Sequence, residues 1–258
     1  MAYSCKLPVT EKTELYPSMA TQQTAQKTIT SLSNSTMEIE AQWNQSKKRF
    51  ITLWMELQSN NSEASHAKSI WKLLSEKYSE PARFYHTKEH ILDCLKQLDS
   101  AKDQIPDYRS VELAIWFHDV IYDPAATDNE EQSVILFNKL AQNILPEPVI
   151  QKVSKIIKAT LHIDNPEGLD EAFMLDIDLS SIADNWQRFT KDNSNLRREV
   201  KHLDCKEYCD RKISFFNMLL GKERIFFTDF FHAACEDKAR HNMESFIRLQ
   251  FLTGKCTC

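Results

Sequence analysis

Histidines and aspartates recur in this chain where a helical pattern runs into a polar turn, and two of them form the adjacent pair His118-Asp119. The pair lies in Val111-Glu-Leu-Ala-Ile-Trp-Phe-His-Asp-Val-Ile-Tyr-Asp123; upstream stands Arg83-Phe-Tyr-His-Thr-Lys-Glu-His90, and downstream come Thr160-Leu-His162 and Met174-Leu-Asp-Ile-Asp178. Imidazole nitrogens and carboxylate oxygens together form the mixed donor set that borderline and hard divalent ions accept. If these segments converge in space, they suit metal-assisted hydrolysis.

Each element also has a structural alternative. A carboxylate such as Asp119 at the end of a very apolar helix is costly unless paired, metal-bound or hydrogen-bonded to backbone amides, and His118 could be a satisfied core imidazole. His86 and His90 are four residues apart, which puts them on one side of a helix by design or by chance. Asp176 and Asp178 flank an expected helix start, where one of them could serve as an N-cap. His162 ends an apolar helix, where the dipole favours a protonated ring. Four such elements in order, each at a helix boundary, favour convergence.

The elements that must position these groups read as helices. Only three glycines occur, Gly168, Gly221 and Gly254, so glycine-rich phosphate loops and dinucleotide fingerprints are excluded and tight hairpins are disfavoured. Trp43, Phe50, Leu53, Trp54 and Leu57 recur at helical spacing. Further helices are expected over 65–78, 86–98, 111–121, 129–140, 148–161, 174–189, 196–220 and 226–251, with 111–121 buried on nearly all sides. The expected fold class is all-α: one helical bundle over 41–255, preceded by a Ser/Thr/Gln-rich flexible tail over 1–40 that cannot bury enough apolar surface to order itself.

Composition narrows the partners. A net charge of -5 and a pI of ≈ 5.9, with no basic run longer than Lys47-Lys48-Arg49, argue against duplex nucleic acid. No apolar stretch is long enough for a membrane span. The start of the chain lacks an apolar signal core, and seven cysteines, several of them within helical patterns (Cys94, Cys205, Cys209, Cys235), suggest free thiols in a reducing, cytoplasmic setting. Cys256 and Cys258 end the chain in a segment with nothing to preorganise them.

The succession of motifs resembles the HD-domain superfamily of metal-dependent phosphohydrolases, whose signature is a His, then His-Asp, then a later Asp. It is most similar to members known only as predicted phosphohydrolases. Besides the segments above, Asp128-Asn-Glu-Glu-Gln-Ser133, Leu175-Asp-Ile-Asp-Leu-Ser-Ser-Ile182, Leu196-Arg-Arg-Glu199 and Ala239-Arg-His-Asn-Met243 carry the likeness, which spans about residues 50–250. Val200 departs from it, standing where an aromatic usually follows.

The resemblance implies that His90, His118, Asp119 and Asp178 are the core metal ligands, with His162 serving a second ion and His86 either supporting the ligands from behind or facing substrate. It implies one or two divalent ions, with Mn, Fe, Co, Ni, Zn and Mg not distinguished. Asp119 is the candidate shared carboxylate. Glu131 or Glu130 is the candidate to orient water or protonate the leaving group, with plain helix-start acidity as the alternative. Arg83 and Arg197 are candidate phosphate clamps, with structural salt bridges (Glu199 as a partner) as the alternative. The implied activity is hydrolysis of a small phosphorylated metabolite, a nucleotide among the candidates. The competing function is a non-catalytic metal-containing binding or regulatory module.

Overall fold

The computed structural model describes residues 19–58 and 64–253, with side chains over 36–58 and 64–250; within these it is all helical, with ten helices and no strand. They are α1 (Met19–Leu57), α2 (Ala64–Lys77), α3 (Lys88–Ser100), α4 (Tyr108–Phe117), α5 (Asn129–Ala141), α6 (Glu147–Ala159), α7 (Leu169–Leu179), α8 (Trp186–Glu199), α9 (Cys205–Leu220) and α10 (Asp229–Thr253). The chain divides into two units, Met1–Ala41 and Gln42–Cys258, and the second carries the core and every candidate site residue. Of the segment read as a flexible tail, residues 1–18 lie outside the described residues, and α1 begins at Met19. Cys256 and Cys258 also lie outside them.

α4 sits at the centre. All eight residues from Ser110 to Phe117 are buried, as its continuous apolar run requires. α3, α5, α6 and α7 pack around it. On another side its Trp116 meets an aromatic cluster from α1 and α2, where Trp43 stacks on Trp71 at 4.9 Å and lies edge-on to Trp116 at 5.6 Å. Glu112 is the one acidic side chain buried in α4, and Arg49 meets it at 2.7 Å while also gripping Asp99.

Two expected helices are broken. Residues 174–189 hold the end of α7, a 3₁₀ turn over Ser180–Ala183 and the start of α8, because Asn185 caps a new helix by accepting from Arg188 N. Residues 196–220 are interrupted after Glu199, and Asp204 restarts the chain as α9 by accepting from Glu207 N. Asp176 and Asp178 therefore lie near the C-terminal end of α7, not at a helix start. Asp176 still satisfies free amides, though of a distant segment: it accepts from Phe227 N at 2.7 Å, Thr228 N at 2.8 Å and Thr228 Oγ1 at 2.6 Å, just ahead of α10. In the 239–243 segment, Arg240 donates to the carbonyls of Leu220 and Lys222, and Asn242 to those of Ile182 and Asp184.

Cys94 and Cys235 are free thiols, but Cys205 and Cys209 are disulfide-bonded, which departs from the expectation of free thiols there. Cys205 opens α9 at the surface, so helical placement did not bury it. No described helix is long and apolar enough to cross a membrane.

Burial pushes the Asp176 carboxyl up to about 6, against hydrogen bonds that favour its ionised form. A folded pKa above the unfolded value means that this contribution to stability is fully present below pH 3.8 and is lost as pH rises through about 6. Asp176→Ala should cost about 2 kcal/mol by orphaning two buried amides. Urea denaturation at pH 4.5 and 7.5 should show the gap between wild type and variant narrowing at the higher pH.

Candidate metal centre

His90 is the third residue of α3, whose start is fixed by Thr87 accepting from Glu89 N. His118 is the C-cap residue of α4, only 1% exposed, and its Nδ1–H donates to the Ile115 carbonyl at 2.9 Å. That bond fixes the tautomer and leaves Nε2 to face the interior of the cluster. Asp119 follows in the turn. Asp178 comes from α7, and His162 from the turn after α6, where it holds a left-handed φ of 55° that turns the chain back toward α7. A non-glycine residue in that conformation stores about 1 kcal/mol of strain, which the surrounding packing must hold.

The five groups converge. His118 Nε2 lies 3.0 Å from Asp119 Oδ2 and 3.5 Å from Asp178 Oδ1. His90 Nε2 lies 3.4 Å from Asp119 Oδ2, 3.3 Å from Asp178 Oδ1 and 3.2 Å from His118 Nε2. Bonds of about 2.1 Å to a central ion put neighbouring ligand atoms roughly 3.0 Å apart in an octahedron and roughly 3.4 Å apart in a tetrahedron. Four of the five separations fall in that range, and the fifth, 3.5 Å, lies just beyond it. Two imidazole nitrogens 3.2 Å apart also repel unless a proton or a cation lies between them. His90, His118 and Asp119 form one group that could hold a metal ion, and His90, Cys94 and Asp178 another.

Electrostatics point the same way. Burial alone would lower the pKa of His118, yet the Asp119 and Asp178 carboxylates hold it well above the usual imidazole range. Burial likewise opposes ionisation of Asp119 and Asp178, yet the surrounding imidazoles keep both carboxyls well below the usual carboxylate range. The cluster holds two half-buried carboxylates, Asp119 and Asp178, that demand positive charge. Protons on the imidazoles supply it in the absence of an ion.

Asp178, rather than Asp119, has its two oxygens facing different imidazoles. Its Oδ1 faces His90 and His118, and its Oδ2 lies 2.9 Å from His162 Nε2. The sharing role expected of Asp119 is therefore open to Asp178 as well, whose oxygens face all three histidines. The centre opens into a cavity of ≈ 240 Å³ lined by His86, Asp119, Glu130, His162 and Asp178.

The remaining expected residues divide. Glu130 lines this cavity, and burial raises its carboxyl, reinforced by Asp119 and Asp178. Glu131 points away, half exposed and paired with Lys158 at 2.8 Å. Adjacent residues of one helix diverge by about 100°, so only one of the two could face inward. His86 is not on α3, which begins at Lys88, but its ring does line the cavity. It stacks on Tyr122 at 4.1 Å and donates to Glu199 Oε2 at 2.7 Å.

Neither arginine lines this cavity, and both make scaffold contacts. Arg83 is buried, donating to the Asp119 carbonyl at 2.6 Å, the Val120 carbonyl at 3.0 Å and the His86 carbonyl at 3.1 Å. Arg197 donates to the carbonyls of Val200 and Leu203 and lies over the Tyr208 ring. Both hold turns where helices end and carbonyls lack helical partners. Tyr85 lines the cavity with its hydroxyl bonded to Ser181, and Trp116 is wholly in the core.

Glu199 was not assigned a site role by the sequence. Its Oε1 accepts from the backbone amides of Phe84, Tyr85 and His86 at 2.6, 2.7 and 3.0 Å, fixing the turn that delivers His86 and leads into His90. No spacing signal reveals a bond between residues 113 apart.

Arg83→Met should therefore act through structure. It leaves three carbonyls without a donor, lowers stability by roughly 3 kcal/mol and weakens metal uptake indirectly. A phosphate clamp would instead leave stability intact; chemical denaturation separates the two. The chain matches no family model, no curated protein and no solved structure, so the fit to a metal ion stands on this geometry alone.

Proposed function

We propose that this chain is a metal-dependent phosphohydrolase of the HD type, acting on a small phosphorylated metabolite with nucleotides as the first candidates. The observation that carries the reading is the convergence of His90, His118, Asp119 and Asp178 at ligand-edge distances, beside an open cavity. A divalent ion held there would activate water and act as a Lewis acid toward phosphoryl oxygen. His90, His118, Asp119 and Asp178 would hold it, and His162, 2.9 Å from Asp178 Oδ2, would serve a second.

The chain's own groups supply the rest. Glu130 faces the cavity with a raised pKa, which suits a carboxyl that passes a proton to the leaving oxygen. His86, oriented by Glu199, presents its other ring nitrogen as a donor or acceptor for substrate oxygen. Tyr85, Phe189 and Phe216 wall the cavity and limit water around the reacting group. A cytoplasmic setting is part of the proposal. It is supported by the free thiols of Cys94 and Cys235, and the bonded Cys205 and Cys209 stand against it.

With manganese supplied, the protein should hydrolyse p-nitrophenyl phosphate or members of a nucleotide panel, and Asp119→Ala, matched for folding, should lose at least about a hundredfold in rate. An undiminished rate in folded Asp119→Ala contradicts the mechanism. Metal binding without turnover on any phosphoester transfers the case to a metal-containing binding module.

A further inference from the structure

With Arg83 and Arg197 both engaged in the scaffold, the cavity needs another cation if it is to hold an anion. Among the described residues lining it, the one lysine or arginine is Lys212 of α9. Its ammonium lies 4.7 Å from the Phe216 ring centroid and 5.8 Å from that of Phe215. It has no ion pair or side-chain hydrogen bond among the described residues. The neighbouring acid, Asp192, is already gripped by Arg188 at 2.9 Å. Burial beside the phenylalanines pushes the Lys212 pKa down to about 8, with the Asp192 charge opposing the shift only in part.

A second, independent feature lies on the same wall. Asn193 of α8 is 7% exposed; its amide nitrogen donates to the Phe189 carbonyl at 2.7 Å, while its Oδ1 is buried without a partner. Asn193 lines the cavity together with Lys212, Phe189 and Phe216. A buried amide oxygen left without a donor is costly, so a donor from the cavity would be favoured there.

We propose that Lys212 and Asn193 form the substrate-recognition wall of this cavity, Lys212 gripping an anionic oxygen and Asn193 Oδ1 accepting from a hydroxyl or amino group of the same small phosphate ester. The inference rests on the phosphohydrolase reading and adds to it a protein cation for the phosphate beside the metal centre and an acceptor for the rest of the ligand. Phe189 and Phe216 supply an apolar face between the two polar contacts. A cavity of ≈ 240 Å³ suits one small molecule rather than a polymer.

Calorimetric titration of the full chain, with and without manganese, tests this with two non-hydrolysable probes: inorganic phosphate and a phosphonate analogue of a nucleoside 5′-monophosphate. Lys212→Gln should weaken both probes by about tenfold or more, and Lys212→Arg should restore most of that loss. Asn193→Leu should weaken the phosphonate by about tenfold and leave inorganic phosphate unchanged. Equal affinities in wild type and in folded Lys212→Gln overturn the proposal, as does a wild type that binds neither probe under either condition. Failure of manganese uptake alone counts against the metal-dependent reaction, and Lys212-dependent phosphonate binding in that case still upholds the recognition wall.

Discussion

Two half-buried carboxylates among histidines set the terms for this molecule. Asp119 and Asp178 cannot remain ionised there without positive charge close by, and the structure gathers three histidines around them. Such an arrangement destabilises a fold unless the charges are matched, so the surrounding architecture must hold every partner in place. The Ile115 carbonyl turns His118 so that Nε2 faces inward. The left-handed backbone at His162 brings that ring back over α7.

The supporting contacts act mostly on backbone rather than on the ligands. Arg83 binds the carbonyls that follow the His118-Asp119 pair, Glu199 binds the amides of the turn before His90, and Asp176 binds the amides that open α10. Each is a charged group meeting unpaired backbone groups at a helix terminus or turn, where a short chain reversal otherwise leaves them unsatisfied. Arg188 performs a similar task between helices, joining Glu89 and Asp93 of α3 to Asp192 of α8, and so holds the wall that carries Asn193 beside the His90 helix. Charged residues, Arg83 among them, thus fasten the backbone and helices that carry the candidate ligands.

That distinction explains what the sequence could and could not convey. The helical class followed from spacing and from the scarcity of glycine, and the burial of α4 from its unbroken apolar run. The convergence of His90, His118, Asp119, His162 and Asp178 was legible because each sits near a helix end with a side-chain type that an interior tolerates only for a reason. Helix breaks at Ser180–Ala183 and after Glu199 were hidden because apolar spacing continues through them; the capping residues Asn185 and Asp204 were the available signals. The carbonyl contacts of Arg83 and Arg197 were hidden because guanidinium–carbonyl bonds leave no periodic trace. Lys212 and Asn193 were missed for a related reason: what distinguishes them is the absence of a partner, which only three-dimensional packing reveals.

The most direct test is manganese uptake by equilibrium titration of the full chain, wild type beside Asp178→Asn, with folding checked by circular dichroism. Asp178 has the better claim than any other residue to this role, because its oxygens face all three histidines. The account predicts one or two ions bound by the wild type and loss of at least one in the folded variant. No uptake by the wild type, or identical uptake by Asp178→Asn, would contradict a metal centre built on these residues.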